Sequence, residues 1–265
     1  MKAMIFAAGL GTRLRPLTDS MPKALVPVGG IPMLQRVMMK LKAAGIREFV
    51  VNVHHFAQQI EDFLAENGDF GVHVDISREP GQPLETGGGI RKAEPFLKGG
   101  RFLVHNVDML SDLDVGSFLA ADDPSSLATL LVTDSDEADR YLLFDGDMRL
   151  AGWTNVRTGE VRSPYPGFDP SGCRRLSFCG IHLVSPEVFP LMRDWPERFS
   201  ITDFYLSMAA THAIRAAYVP GLRIIDIGSP EKLAEAERSV AGTRSRHGQL
   251  GDSQLQKVGI TKILR

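Results

Sequence analysis

A short apolar run that empties into a glycine turn opens this chain, and few architectures accept that start. Residues 3–8 are uniformly apolar, the length of a buried strand. Gly9-Leu10-Gly11-Thr12 follows at once, then Arg13, Arg15 and Lys23, with no acid before Asp19. A glycine turn lets backbone N–H groups approach an anion, because no Cβ stands in the way. Arginine adds a planar fork that suits phosphate. The string predicts a triphosphate cradle at the end of a strand. Gly-x-Gly taken alone would favour an ordinary strand-to-helix turn.

Two familiar phosphate loops do not fit. A Walker loop requires Gly-x4-Gly-Lys-Ser/Thr, which the chain lacks. The dinucleotide fingerprint needs a third glycine where Leu14 stands. It also needs an acid about 20 residues further on, where Gly29-Gly30-Ile31 lie.

Helical and strand periods alternate after the loop. Pro32 starts a helix whose Met33, Leu34, Val37, Met38 and Leu41 share one face, and Gly45 stops it. Residues 49–53 read as a buried strand. Phe56, Ile60, Phe63 and Leu64 recur at helical spacing up to Asn67-Gly68, and Val72, Val74 and Ile76 alternate as a strand does. The order β-α-β-α-β implies a parallel sheet with helices on its faces. A hairpin over 141–144 and 148–153, turning at Asp145-Gly146, adds an antiparallel piece. The expected class is α/β: three layers, α/β/α, around a mostly parallel Rossmann-like sheet with a small antiparallel extension. Ligands in such sheets bind beyond the carboxyl ends of the strands, where the glycine turn lies.

The rest of the chain returns to that edge. A loop over 78–89 leads to a helix at 90–96, with Gly87, Gly88 and Gly89 at its start. Those glycines serve a hinge or the close approach of backbone to a flat ligand. A strand at 102–105 runs into Asn106-Val107-Asp108, whose carboxylate is a cap or an oxygen donor for Mg2+. Residues 127–132 and 176–184 read as strands, the second interrupted by Gly180, a natural place for a bulge. Residues 157–172, rich in proline, glycine and charge, read as a mobile flap. A helix at 201–210, capped by Ser200 or Thr202, and a strand at 222–225 bring the chain to Asp226. That acid stands among apolar neighbours and needs a partner, because an unpaired buried charge is costly. Ser229 and Pro230 open the last helix. His54 and His55 are adjacent, so their side chains diverge and do not chelate together.

Composition narrows the class further. At 265 residues and 43% hydrophobic, the chain can form one large α/β core. The expected division is one domain over 1–241 and an unassigned tail over 242–265. A net charge of -2 offers no nucleic-acid surface. Cys173 and Cys179 lack zinc spacing and read as reduced thiols. No apolar run reaches a membrane span and no cleavable leader pattern is present, so the expectation is a cytoplasmic protein without membrane or nucleic-acid partners.

AAGLGTRLRPLT followed by PKALVPVGG resembles the signature of the sugar-1-phosphate nucleotidylyltransferases, the nucleotide-sugar pyrophosphorylases. The resemblance implies that family's fold and its reaction: a nucleoside triphosphate joins a sugar 1-phosphate and pyrophosphate leaves. It assigns Ala8, Gly9, Gly11, Thr12, Arg13 and Lys23 to the triphosphate. It assigns Pro83, Thr86, Gly87 and Gly88, in Pro-Leu-Glu-Thr-Gly-Gly, to base and ribose. Arg13 and Lys23 become the catalytic cations, one holding the leaving pyrophosphate and one neutralising the phosphates being joined. Asp108 and Asp226 become ligands of a Mg2+ cofactor, and Gly180 becomes a sugar-site glycine. Two departures stand out. Val107 replaces a glycine usual before the first aspartate, and Gly152-Trp153-Thr154-Asn155 replaces a Glu-Lys-Pro segment, leaving Asn155 as the substitute sugar contact. PLETGGGI and QQIEDFL resemble members that use UTP with N-acetylmuramate 1-phosphate, while the opening string equally resembles those that use GTP with mannose 1-phosphate. Cytidylyl transfer to phosphocholine, a non-catalytic nucleotide-binding regulatory subunit, and assembly as a homo-oligomer stay open.

Overall fold

The opening apolar run becomes the strand Lys2–Phe6, and its neighbours show why both of its faces are apolar. Glu48–Val53 pairs with it in parallel on one side and Phe102–Asn106 on the other, and His73–Arg78 adds a further parallel strand beyond Glu48–Val53. Side chains alternate across such strands, so a sheet covered twice needs apolar residues at every position. Met4, Val50 and Val104 enter one core, while Ala3, Ile5, Val51 and Leu103 enter the other. The helix Met33–Ala43 closes the second core with Leu34, Val37, Met38 and Leu41. Ile90, Leu97 and the helix Ile201–Met208, through Phe204 and Tyr205, close the first. The three-layer α/β/α expectation holds. This computed structural model describes residues 1–79, 81–135 and 138–255, and for 243–255 the backbone alone.

Beyond Phe102–Asn106 the sheet changes character. Arg174–Val184 pairs with it antiparallel through Ile181–Val184. The same long strand carries Ala128–Thr133 along its later half and Arg140–Phe144 along its first residues. Ile214–Tyr218, which has no counterpart in the expected strands, lies parallel to Ala128–Thr133. Arg140–Phe144, Leu150–Asn155 and Glu160–Arg162 form the antiparallel extension. Among the described residues ten strands share this sheet.

Several expectations shift. The segment 157–172 is no free flap. Glu160–Arg162 is a paired strand, Ser163 Oγ donates to the Ala151 carbonyl at 2.7 Å, and the Tyr165 hydroxyl donates to the Ala209 carbonyl at 2.8 Å. Its prolines and glycines shape turns, and its hydroxyls dock them. The helix expected at 90–96 begins at Glu85 and runs to Lys92, so the three glycines lie inside it. The strand expected at 222–225 is Ile224–Asp226, outside the main sheet. The last helix, Pro230–Leu255, crosses the expected boundary at 241, while 256–265 of the expected tail lie outside the described residues. Both cysteines are free, and burial pushes the Cys179 thiol up to about 12. Among the described residues no helix is long and apolar enough to cross a membrane.

Strand order positions the site. The chain moves outward from Lys2–Phe6 through Glu48–Val53 to His73–Arg78, then returns to place Phe102–Asn106 on the opposite side. The direction of winding therefore reverses between Lys2–Phe6 and Phe102–Asn106. In open α/β sheets a crevice opens at that point, beyond the carboxyl ends of the two strands. The Val107 N–H donates to the Phe6 carbonyl at 3.1 Å and fixes the floor of the crevice.

Candidate active site

The glycine turn leaves the first strand at this crevice. Gly11 has φ 63°, and a Cβ there would stand 2.9 Å from Thr18 Cγ2 and 3.2 Å from Lys23 Cβ. The Thr18 hydroxyl donates to the Gly11 carbonyl at 2.8 Å and closes the loop on itself. Short 3-10 turns at Thr12–Leu14, Leu17–Asp19 and Lys23–Leu25 follow, and the first α-helix waits until Met33. The loop is therefore not the strand-to-helix turn that a bare Gly-x-Gly suggests. Gly11→Ala combines a left-handed backbone with a clash, so we expect it to lower stability by about 1–3 kcal/mol, read by chemical denaturation.

Two carboxylates converge on Lys23. Asp108 lies two residues past the end of Phe102–Asn106, in a turn that leads into the strand Met109–Ser111. Met109–Ser111 pairs antiparallel with Ile224–Asp226, placing Asp226 opposite Met109. The Ile227 N–H donates to the Asp108 carbonyl at 3.1 Å, which locks the two segments together. This small ribbon, rather than two strands of the main sheet, joins the acids. Lys23 is 8% exposed. Its Nζ donates to Asp108 Oδ2 and lies 3.5 Å from Asp226 Oδ1. Arg13 Nη2 lies 3.7 Å from Asp226 Oδ2, and the Gly228 N–H donates to Asp226 Oδ1 at 2.8 Å. Arg13, Lys23, Asp108 and Asp226 thus form one cluster.

The donor set suits a hard divalent cation. Asp108 Oδ1 is buried without a hydrogen-bond partner, and Asp226 adds a second carboxylate. Among the described residues no group of three or more His, Cys, Asp or Glu could hold a metal. An ion bound by two carboxylates takes its other ligands from water and phosphate, as Mg2+ commonly does.

Two adjoining cavities share Ala8, Gly9, Pro83 and Asp108 as walls. One, of about 350 Å3, runs over Gly11, Thr12, Arg13 and Lys23. The other, of about 210 Å3, runs over Asn52, Glu79, Thr86 and Asn106. The expected triphosphate and base segments therefore face each other. Gly87 and Gly88 behave differently. Their N–H groups donate to the Phe199 carbonyl at 2.9 and 3.3 Å. A Cβ would stand 2.3 Å from Phe199 Cε2 at the first and 2.4 Å from the Glu197 carbonyl oxygen at the second. Packing of the helix on 197–199 is enough to require glycine at both.

The expected sugar contacts separate. Gly180 has φ 66°, and the register against Ala128–Thr133 slips between Phe178 and His182, so it is a bulge. A Cβ there would stand 2.5 Å from Asn106 Nδ2, so the bulge lets Asn106 lie across the strand at the cavity wall. Asn155 Oδ1 accepts from the N–H groups of Arg157 at 3.0 Å and Thr158 at 3.3 Å. That oxygen is committed to its own turn. A third cavity, of about 570 Å3, opens beside it over Trp153, Arg162, Phe178 and Asp203.

Three participants escaped the sequence reading. Glu79 is buried and accepts from Asn52 Nδ2 at 2.6 Å and from the Leu84 N–H at 2.8 Å, which shapes the turn before Thr86. Asn52 carried a signal, as a lone amide in an apolar strand. Arg198, a wall of the triphosphate cavity, lies in a loop and carried none. His54 contacts the Glu79 carbonyl through Nδ1 at 2.7 Å and His55 packs on Phe56, so the pair forms no chelate.

A mixed α/β sheet with parallel central strands, a glycine-rich anion loop and a lysine between two carboxylates at its switch point defines a nucleotide-handling enzyme. Residues 2–149 match the nucleotidyl transferase family, and the chain belongs to that family. It is 39% identical over 191 residues to the N-acetylmuramate alpha-1-phosphate uridylyltransferase of Neisseria meningitidis serogroup B, covering 71% of this chain and 77% of the relative. It is 33% identical over 245 residues to the protein of the same name from Caulobacter vibrioides, covering 90% and 96%. The structure of a UDP-glucose pyrophosphorylase from Acinetobacter baumanii superposes with a TM-score of 0.75 at 20% identity, over 97% of this chain and 99% of that one, a likeness of fold.

Proposed function

We propose that this enzyme joins a nucleoside triphosphate to a sugar 1-phosphate and releases pyrophosphate, with UTP and an N-acetylmuramate-type sugar 1-phosphate as its substrates. The observation that carries the reading is the Lys23 ammonium, held between Asp108 and Asp226 at the mouth of the glycine turn. The substrate pair rests on the two named relatives.

The chemistry is an in-line attack of a sugar-phosphate oxygen on the α-phosphorus. Such a transfer asks the protein for positioning and charge neutralisation more than for covalent help. Backbone N–H groups of residues 8–12 cradle the triphosphate. Lys23 neutralises the two phosphates being joined, and Arg13 holds the departing pyrophosphate. Asp108 and Asp226 keep both cations aimed into the crevice. The same two carboxylates would hold Mg2+, which when bound screens the anionic nucleophile from the anionic triphosphate.

A pyrophosphate-release screen tests the proposal. UTP, GTP, dTTP, CTP and ATP are each offered N-acetylmuramate, N-acetylglucosamine, glucose and mannose 1-phosphates. Turnover highest for UTP with N-acetylmuramate 1-phosphate is expected. Highest turnover for GTP with mannose 1-phosphate would overturn the substrate choice, and no release from any pair would overturn the transfer reaction.

A further inference from the structure

We propose that Arg198 is a mobile phosphate-binding residue, held on Glu85 and handed to the phosphates when a nucleoside triphosphate enters the crevice. The inference rests on the nucleotidyl-transfer reading of that crevice and adds to it a residue pair that exchanges partners.

Glu85 opens the helix Glu85–Lys92 with φ 61°, in the left-handed region. A side chain held there is strained, and glycine would take the conformation freely. A strained carboxylate at a cavity wall invites the question of what its side chain does. It forms an ion pair with Arg198 Nη2 at 2.9 Å, with the two side chains 42% and 57% exposed.

The backbones below this pair are fixed to each other. The Phe199 N–H donates to the Leu84 carbonyl at 3.3 Å, and the Phe199 carbonyl accepts from Gly87 at 2.9 Å. The Glu197 carbonyl oxygen occupies the space a Cβ on Gly88 would need, 2.4 Å from it. Arg198 is therefore anchored through its neighbours to the turn that carries Glu85, while its side chain stands 57% exposed.

The two residues border different cavities. Glu85 borders the one that contains Thr86 and Asn106, and Arg198 borders the one that contains Gly11, Arg13 and Lys23. Arg13 and Lys23 already face the carboxylates of Asp226 and Asp108. Arg198 leans on one acid that lines the neighbouring cavity, and an ion pair this exposed contributes little stability. A triphosphate carries several negative charges and accepts the guanidinium fork in bidentate geometry. Phosphate in that cavity therefore outcompetes Glu85 for Arg198. Glu85 keeps the arginine beside the crevice without neutralising it permanently.

Four proteins test the exchange: wild type, Glu85→Gln, Arg198→Met and the double variant. Binding of UTP and of GTP is measured by titration calorimetry, with thermal melting as the check on folding. Arg198→Met should weaken binding about tenfold or more. Glu85→Gln keeps the size and backbone strain of the residue but frees the arginine. It should tighten binding about two- to fivefold. That gain should vanish in the Arg198→Met background. Affinity that is equal in all four proteins overturns the exchange. So does a Glu85→Gln that weakens binding in both backgrounds, because Glu85 would then touch the nucleotide itself. A wild type that binds with the expected pattern yet releases no pyrophosphate from any sugar 1-phosphate sinks the transfer reading and leaves the exchange standing.

Discussion

Lys23→Met is expected to lose at least about 10²-fold in turnover while the protein still folds. Methionine keeps a long apolar stem in the buried channel and removes the charge. The structure explains why that charge is hard to replace. Lys23 sits on a 3-10 turn wedged against the glycine loop, 8% exposed, and its ammonium faces Asp108 and Asp226 together. Removing it leaves two carboxylates near each other without their shared cation, and like charges at one site repel. Melting of the variant should therefore fall in chelator and recover with millimolar Mg2+, whereas turnover should not recover. The measurement is turnover per folded molecule, with melting followed in parallel. Near wild-type turnover would remove Lys23 from the mechanism.

Asp108→Asn and Asp226→Asn should each abolish most activity, and the double variant should be hardly worse than either single one. Residues that act through one charge cluster are strongly non-additive. Asparagine makes the experiment clean at both positions. At Asp226 the oxygen that accepts from the Gly228 N–H can be kept, so the local turn survives while the charge goes. At Asp108 the backbone bond from Ile227 is untouched by the side chain. The rival view makes the two aspartates ordinary partners of Lys23 and of the Asp226-Ile227-Gly228 turn. It predicts variants that lose stability and retain turnover in the folded fraction. Additive losses would show that the two acids work separately, against the shared cluster.

The elements that are easiest to read in the chain are those whose physics is local. The run at residues 3–8 announces a strand covered on both faces, because it is too short for a buried helix and ends in a glycine turn. Met33, Leu34, Val37, Met38 and Leu41 announce a helix through their spacing alone, and the structure buries all of them. The harder cases each involve a competing long-range partner. Gly87 and Gly88 read as loop because glycine is a poor helix former. The contact that overrides that preference is Phe199, more than a hundred residues away. The segment 157–172 reads as a flap because prolines and glycines dominate it, yet Ser163 and Tyr165 tie it to Ala151 and Ala209. Asn155 reads as a ligand contact only through the family resemblance, and the structure gives its oxygen to the next turn.

By itself the sequence determined the α/β class, the glycine loop at the end of the first strand, and the identities of Arg13, Lys23, Asp108 and Asp226. These follow from periodicity, from the conformational freedom of glycine and from motif resemblance, all carried by short stretches of chain. Tertiary structure alone decided how the four residues meet. The winding of the sheet places the ends of Lys2–Phe6 and Phe102–Asn106 side by side, and the ribbon of Met109–Ser111 with Ile224–Asp226 carries the second acid across to them. Tertiary structure also put Arg198 on Glu85. The reason is physical: strand order and ribbon pairing are contacts between segments far apart in the chain, and no local spacing encodes which distant partner a backbone will find.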